Sequence, residues 1–381
     1  MGVNLMKIGI LTFHNSYNCG SMMQTFALQR FLTKQQHQVE IIDFSNEGQK
    51  KLYSTLYENN SVKNVIKNII ILPKRKRISR NYESFEQFKR SNFNLTKHNY
   101  TRIEELSNDE ELVFDAVITG SDQVWNITIE DSDDAYFLSW VKKGKKIAYA
   151  PSFGSKNIAK YAKDVNKYKS YLALIDYVSV REKNGQRWIS DLINKNVPIL
   201  PDPTLLLDAS EYKEVESVSL NLPKDYIFYY SPGYQRKINK LVCKIAKKYK
   251  LPVIAFNSKT FYVKFMQFSG FTLPEVENPS TYLQLIKNAK LIITTSFHGT
   301  VFSSIYKKCF WTIKNGGMFG DDDRVLTLIE QLNLEDRLIS DEFNSKFDYQ
   351  KKPSYDNYDE RVKSMRIKAL RFLEEALSSK V

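Results

Sequence analysis

Short apolar runs alternate with segments of helical period along most of this chain, and that alternation restricts the fold more than any other feature. Residues 8–13 are apolar, 14–20 form a polar loop, and 21–32 carry Met23, Ala27 and Phe31 at helical spacing. Strand, loop and helix are therefore expected, with 39–44 as the next strand. Such a βαβ unit implies a parallel sheet covered by helices. Strands at 112–118, 146–150, 177–180 and 197–200 continue the pattern, with helices at 161–174 and 186–193. Between 48 and 101 the rhythm breaks, and the basic cluster Lys74-Arg75-Lys76-Arg77 and an amphipathic stretch at 82–93 read as an excursion. Pro201, Pro203 and the charged stretch 208–216 mark a domain connection.

A second series then begins. Strands at 226–230, 252–256, 291–295 and 309–313 alternate with helices at 237–248, 280–288, 300–306 and 323–332, and 359–377 is a last helical segment. At 381 residues the chain exceeds what one hydrophobic core organises. The expected division is an N-terminal Rossmann-like domain at 1–205 with the excursion at 48–101, a C-terminal Rossmann-like domain at 206–355, and a helix at 356–381 packing back on the first domain. The expected class is α/β, two doubly wound domains facing a central cleft.

Composition narrows the partners. With 56 Lys+Arg against 43 Asp+Glu the formal charge is +13, which favours phosphorylated ligands, polyanions or an anionic membrane leaflet. The basic run lacks a recognisable nucleic-acid-binding module, so no nucleic-acid partner is expected. Cys19, Cys243 and Cys309 lie far apart and form no CxxC pair, which argues against a disulfide scaffold and a structural zinc site; no metal is expected. The opening MGVNLMKIGILTF has too short an apolar run for a secretory signal, and no stretch reaches the roughly 18 apolar residues of a membrane span. A soluble cytoplasmic protein, or one peripheral at the inner membrane face, is the expectation.

In parallel sheets ligands gather beyond the carboxyl ends of strands, where loops and helix N-termini converge. The loop 14–21 offers Asn15, Asn18, Gly20 and Ser21 to an anion or a sugar; the plainer alternative is a solvated turn with a helix cap at Ser21. It has neither GxGxxG nor GxxxxGK[ST] spacing, so neither nucleotide motif is supported. In the loop 119–126, Gly120 permits close backbone approach beside Ser121 and Asp122, and Trp125 is a sugar-stacking face or a core anchor. Arg181, at a strand end, suits a phosphate or carboxylate. Asp202, between two prolines, either serves catalysis or caps a turn. The sharpest signal is Ser296-Phe297-His298-Gly299 directly after an apolar strand: one of four histidines sits at a strand tip beside a glycine that lets a ligand approach. The glycine-rich loop 314–320, followed by Asp321 to Asp323, is a mobile rim or a flexible turn.

In this order, YNCGSMMQTFALQRFL, GSDQVWN, APSFG, SVRE, PDPTLLL, STYLQLIKNAKLIITTSFHGTVFS and LTLIEQLNLEDRL resemble the polysaccharide pyruvyl transferase family, over residues 7 to about 340. The resemblance implies the two-Rossmann-domain architecture called GT-B. It also implies transfer of pyruvate from phosphoenolpyruvate to a hexose of a lipid-linked or nucleotide-linked glycan, forming a cyclic ketal of a surface polysaccharide, with no cofactor. Arg181 matches the arginine of the family's SxRD/E motif and would take the phosphate or carboxylate of phosphoenolpyruvate. His298 matches the histidine of a motif usually written R-L-H and would act as general acid or phosphate ligand. Ser296 stands where many members carry the arginine, and Lys314 or Arg324 would compensate. Two other readings stay open: a GT-B-like glycosyltransferase using a nucleotide sugar, and a non-catalytic glycan-binding or assembly protein.

Overall fold

The structure is a computed structural model that describes residues 5–216, 220–314 and 323–378. The first half runs β1 (Lys7–Leu11), α1 (Cys19–Lys34), β2 (Gln38–Phe44), α2 (Glu47–Leu52), α3 (Val62–Ile71), α4 (Arg75–Asn92) and β3 (Leu95–Tyr100). It continues with α5 (Ile103–Asn108), β4 (Ala116–Thr119), β5 (Lys145–Ala148), α6 (Ile158–Tyr161), α7 (Val165–Ala173), β6 (Tyr177–Val178) and α8 (Lys183–Ile193). The second half runs β7 (Ile227–Tyr230), α9 (Arg236–Tyr249), β8 (Val253–Ala255), α10 (Ser258–Val263), β9 (Phe271–Thr272), α11 (Pro279–Asn288) and β10 (Leu291–Thr294). Then follow α12 (Phe297–Ile305), β11 (Phe310–Ile313), α13 (Asp323–Leu332), β12 (Leu338–Ile339) and α14 (Tyr358–Ser378).

Two six-stranded sheets result, ordered β3-β2-β1-β4-β5-β6 and β12-β11-β10-β7-β8-β9, with every pairing parallel. Both are doubly wound, each with one point at which the strand order reverses. The central strands show why. AVIT, IFYY, LIIT and FWTI are apolar runs rich in β-branched and aromatic residues with every residue buried, as a parallel strand covered on both faces requires. The helices show the complementary pattern: α9 buries Ile238, Leu241, Val242 and Ile245, one stripe at helical period, in the core of the second sheet.

The chain divides into two compact units. Unit one comprises residues 1–53, 89–207 and 359–381; unit two comprises 54–88 and 208–358. The excursion therefore belongs in part to the second unit, because 54–88 packs there. It also contributes to the first sheet, since β3 forms its edge beside β2. α14 lies in unit one, where Lys145 Nζ donates to the Ala376 and Leu377 carbonyls at 3.0 and 2.8 Å, capping the helix end. Arg366 of the same helix donates through Nη2 to the Leu207 carbonyl at 2.8 Å.

Other readings shift. The helix expected at 161–174 is two short helices, and 197–200 makes only an isolated bridge, Ile199 to Val180. The strand expected at 112–118 begins at Ala116. α12 starts at Phe297, so His298 lies in its first turn rather than in the loop before it.

Candidate active site

The strand order of a doubly wound sheet reverses at one point, and the loops diverging there open a crevice at the carboxyl edge. In unit one the reversal falls between β1 and β4. Gln24 of α1 stitches the two strand ends together: its Oε1 accepts from the Ser121 amide at 3.1 Å and its Nε2 donates to Thr12 Oγ1 at 2.9 Å. Across the same gap Ser21 Oγ donates to Asp122 Oδ2 at 2.5 Å. Arg181, just past β6, donates through Nη1 to Asp202 Oδ2 at 2.5 Å, while its Nη2 lies 3.9 Å from Asp122 Oδ1. The other oxygen of Asp202 accepts from Thr204, through the amide at 3.0 Å and the hydroxyl at 2.7 Å. Asp202 thus caps the turn at Pro203–Leu206 and anchors the arginine as well.

Five expected residues, Ser21, Ser121, Asp122, Arg181 and Asp202, converge here. All are buried, with Arg181 only 3% exposed. One guanidinium set between two carboxylates carries no surplus positive charge.

Beside it lies a group that the sequence reading passed over. His14 is fully buried, with Nδ1 3.2 Å from the Thr12 carbonyl and Nε2 2.9 Å from Asp43 Oδ1. Both ring nitrogens lie within hydrogen-bond distance of an oxygen, which fixes the ring between β1 and β2. Asn15 Nδ2 donates to the same carboxylate oxygen at 2.7 Å, and Lys89 bonds Asn15 Oδ1. Burial opposes ionisation of Asp43, but the His14 hydrogen bond and the charges of His14 and Lys89 prevail and lower its pKa to about 2. Asp131 moves the other way. Burial, helped by the negative charges of Asp122 and Glu130 and opposed by a backbone hydrogen bond, lifts its pKa from 3.8 to about 6. Its loop is fixed by Asn46 Nδ2, which donates to the carbonyls of Asp131 and Ser132 at 3.3 and 3.1 Å.

Several expected ligand contacts prove to be scaffold. Asn18 is the N-cap of α1, accepting from the amides of Gly20 and Ser21 at 2.9 and 3.4 Å, so the cap is not Ser21. Trp125 is fully buried, stacked on Phe137 at 5.6 Å with Nε1 donating to the Tyr136 carbonyl, so it offers no face to a sugar. A Cβ at Gly120 (φ +104°) would stand 2.4 Å from the Tyr149 carbonyl oxygen; the glycine serves internal packing rather than ligand approach. Gly299 has the same explanation, because its Cβ would fall 2.2 Å from Thr294 Oγ1.

In unit two the reversal falls between β7 and β10. Thr294 Oγ1 donates to the Tyr230 carbonyl (2.8 Å), Thr295 Oγ1 to Ser231 Oγ (2.9 Å), and the Ser296 amide to Thr294 Oγ1 (3.0 Å). Ser296 is the N-cap of α12, its Oγ accepting from the Gly299 amide at 3.4 Å. His298 follows in the first turn, 7% exposed, its ring 5.1 Å from that of the buried Phe297. From Leu291 to Lys314 the sequence holds no acidic residue. The amides opening α12 therefore present their partial positive charge with no nearby carboxylate on these elements to neutralise it. Lys314, exposed, follows β11; Arg324 is buried in the first turn of α13. Of the glycine-rich loop, residues 315–322 lie outside the described residues. Arg181 and His298 belong to different units. Among the described residues no group of three or more His, Cys, Asp or Glu is placed to hold a metal ion.

The sequence pattern of the family described as polysaccharide pyruvyl transferase matches residues 18–317, most of the chain. No curated protein matches significantly. Among solved structures the chain is similar to a UDP-GlcNAc 2-epimerase from Methanocaldococcus jannaschii, at TM-score 0.53 and 14% identity, covering 98% of this chain and 94% of that one. It is also similar to the S. aureus MnaA structure with UDP, at TM-score 0.50 and 12% identity, covering 99% of each chain. At these identities the likeness concerns the fold alone, which is GT-B.

Proposed function

The chain belongs to the polysaccharide pyruvyl transferase family and is an enzyme of that type; from this premise we propose that it moves pyruvate from phosphoenolpyruvate onto two hydroxyls of a hexose in a glycan precursor carried on a lipid or a nucleotide. The observation that carries the reading is the family match over residues 18–317, which takes in the segments following β4 and β10. Proton transfer to C3 of the enol makes C2 an oxocarbenium-like electrophile. One sugar hydroxyl attacks C2 and loses its proton, the C2–O bond to phosphate breaks, and the second hydroxyl closes the ketal with loss of its own proton. The reaction needs an acid, a base and an anion site.

Each unit, taken by itself, offers groups suited to a part of this chemistry. The phosphate suits the amides opening α12, in a segment whose own sequence from Leu291 to Lys314 holds no acidic residue; Lys314 and Arg324 are the candidate cations and His298 the candidate proton donor to C3. Sugar hydroxyls suit the carboxylates of unit one, with Asp131, whose pKa of about 6 lies near working pH, as the general base. Arg181 becomes a positioning residue: it holds Asp122 and Asp202 rather than the donor. This departs from the role that the family resemblance implies for it.

The test is donor-dependent stabilisation of the purified protein. A ligand at a hundred times its Kd adds about 2.7 kcal/mol to the stability of the unit that binds it. Phosphoenolpyruvate should raise the melting temperature and His298→Gln should abolish the effect. Stabilisation by a nucleotide sugar and not by phosphoenolpyruvate would overturn the donor assignment.

A further inference from the structure

α3 turns its greasy face outward. Val62, Val65, Ile66, Ile69 and Leu72 follow helical spacing and are 78, 40, 52, 66 and 57% exposed. An isolated exposed leucine is ordinary; five aligned on one ten-residue helix and its first following residue are not. Unit two places a second apolar feature nearby. α3 packs against α10, and just beyond α10 two neighbouring rings, Phe265 and Phe268, are 48 and 81% exposed with centroids 6.2 Å apart. Lys74 Nζ lies 5.4 Å from the Tyr262 ring of the α10 segment, tying the end of α3 to the base of those phenylalanines.

Charge identifies the occupant. From Ser61 to Arg80 the sequence holds Lys63, Lys67, Lys74, Arg75, Lys76, Arg77 and Arg80 and no acidic residue. Apolar side chains on one helical face, lysines flanking it and aromatic residues at its edge form the pattern of a helix lying in a bilayer interface. Its apolar face enters the acyl boundary and its cations meet anionic headgroups. Among the described residues no helix is long and apolar enough to cross a membrane.

We infer that α3, with Phe265 and Phe268, is a docking surface for an anionic lipid bilayer. The inference does not depend on which donor the enzyme uses, and its test reads binding rather than turnover. Full-length protein is sedimented with vesicles of phosphatidylcholine alone and with vesicles one-third phosphatidylglycerol. Binding to the anionic vesicles only, weakened by salt, is expected. Lys63→Gln and Lys76→Gln should each lower affinity about fivefold. Ile66→Asp with Ile69→Asp should lower it more than about tenfold, with the unfolding profile unchanged because both side chains are already exposed. Failure of the folded wild type to bind anionic vesicles overturns the inference. So does equal binding by the Ile66→Asp, Ile69→Asp variant, which would leave charge alone responsible. A concentration-dependent dimer in sedimentation velocity, abolished by that variant, would overturn it too and assign the face to a second copy instead.

Discussion

Asp131→Asn separates stability from activity at a single carboxyl. The folded protein raises the pKa of Asp131 from 3.8 to about 6, chiefly through burial and then through Asp122 and Glu130. The group is 6% exposed, so solvent screening is slight. Holding it ionised costs the folded state about 3 kcal/mol, at about 1.4 kcal/mol per pH unit between the two values. The sign follows from linkage. The folded state binds the proton more tightly, so stability contributed by this group is full below about pH 4, declines as pH rises towards about 6, and stays low above that. A carboxamide in its place cannot ionise, so Asp131→Asn should gain about 3 kcal/mol at neutral pH and almost nothing near pH 4. Urea unfolding followed by tryptophan fluorescence measures this well, because Trp125, Trp140 and Trp188 lie in the core of unit one. In the proposed role of general base, Asp131 must also be ionised to work. Wild-type kcat/KM should rise with pH through about 6, and Asp131→Asn should lose about a hundredfold to ten-thousandfold with that inflection abolished. A variant no more stable at neutral pH refutes the burial argument; one that is stabilised yet fully active, with the inflection intact, refutes the catalytic role.

Arg181→Met should destabilise the protein by about 3–5 kcal/mol, since it strands Asp202 and leaves Asp122 without its cation; adding Asp202→Asn should recover part of the loss in urea titrations. Gly299→Ala should lose about 1–3 kcal/mol and much of its turnover, because the new Cβ displaces Thr294 and with it the start of α12; thermal unfolding and steady-state assays check the two effects. Glu277, buried in unit two where Asn81 Nδ2 and the Ser258 amide both donate to one carboxylate oxygen, has a pKa raised to about 7, mainly by burial. Glu277→Gln should keep both hydrogen bonds and gain about 3 kcal/mol above about pH 8 and little near pH 4, which unfolding at the two pH values would check.

The sheets were legible because their central strands are continuous apolar runs; two such series gave two doubly wound halves, and the GT-B architecture came from the family resemblance. Edge strands escaped for a physical reason. β3, LTKHNY, is half solvated, and β9 and β12 are two residues each, too short for any period to register. Arg181, Asp122 and Asp202 could be picked from their loops, but not their mutual pairing, which joins residues distant in sequence. Asp131 sits in the acidic run Glu130-Asp131-Ser132-Asp133-Asp134, and nothing in sequence sets the buried carboxyl apart from its neighbours. His14 and Asp43 lie at the ends of adjacent strands; only the parallel register of β1 on β2 brings them within a hydrogen bond. For Trp125 the structure shows the core-anchor alternative, and Gly299 packs tightly against Thr294, since residue types favoured by ligand sites are equally favoured by tight cores.

The central claim is that this chain joins pyruvate to a sugar as a ketal. Purified protein is incubated with phosphoenolpyruvate and candidate glycan precursors, inorganic phosphate release is followed, and the glycan product is weighed by mass spectrometry. One phosphate released per glycan that gains a pyruvate ketal, with both signals lost in His298→Gln, is the predicted result. Glycan extended by a whole sugar from a nucleotide donor, with phosphoenolpyruvate untouched throughout, would contradict it.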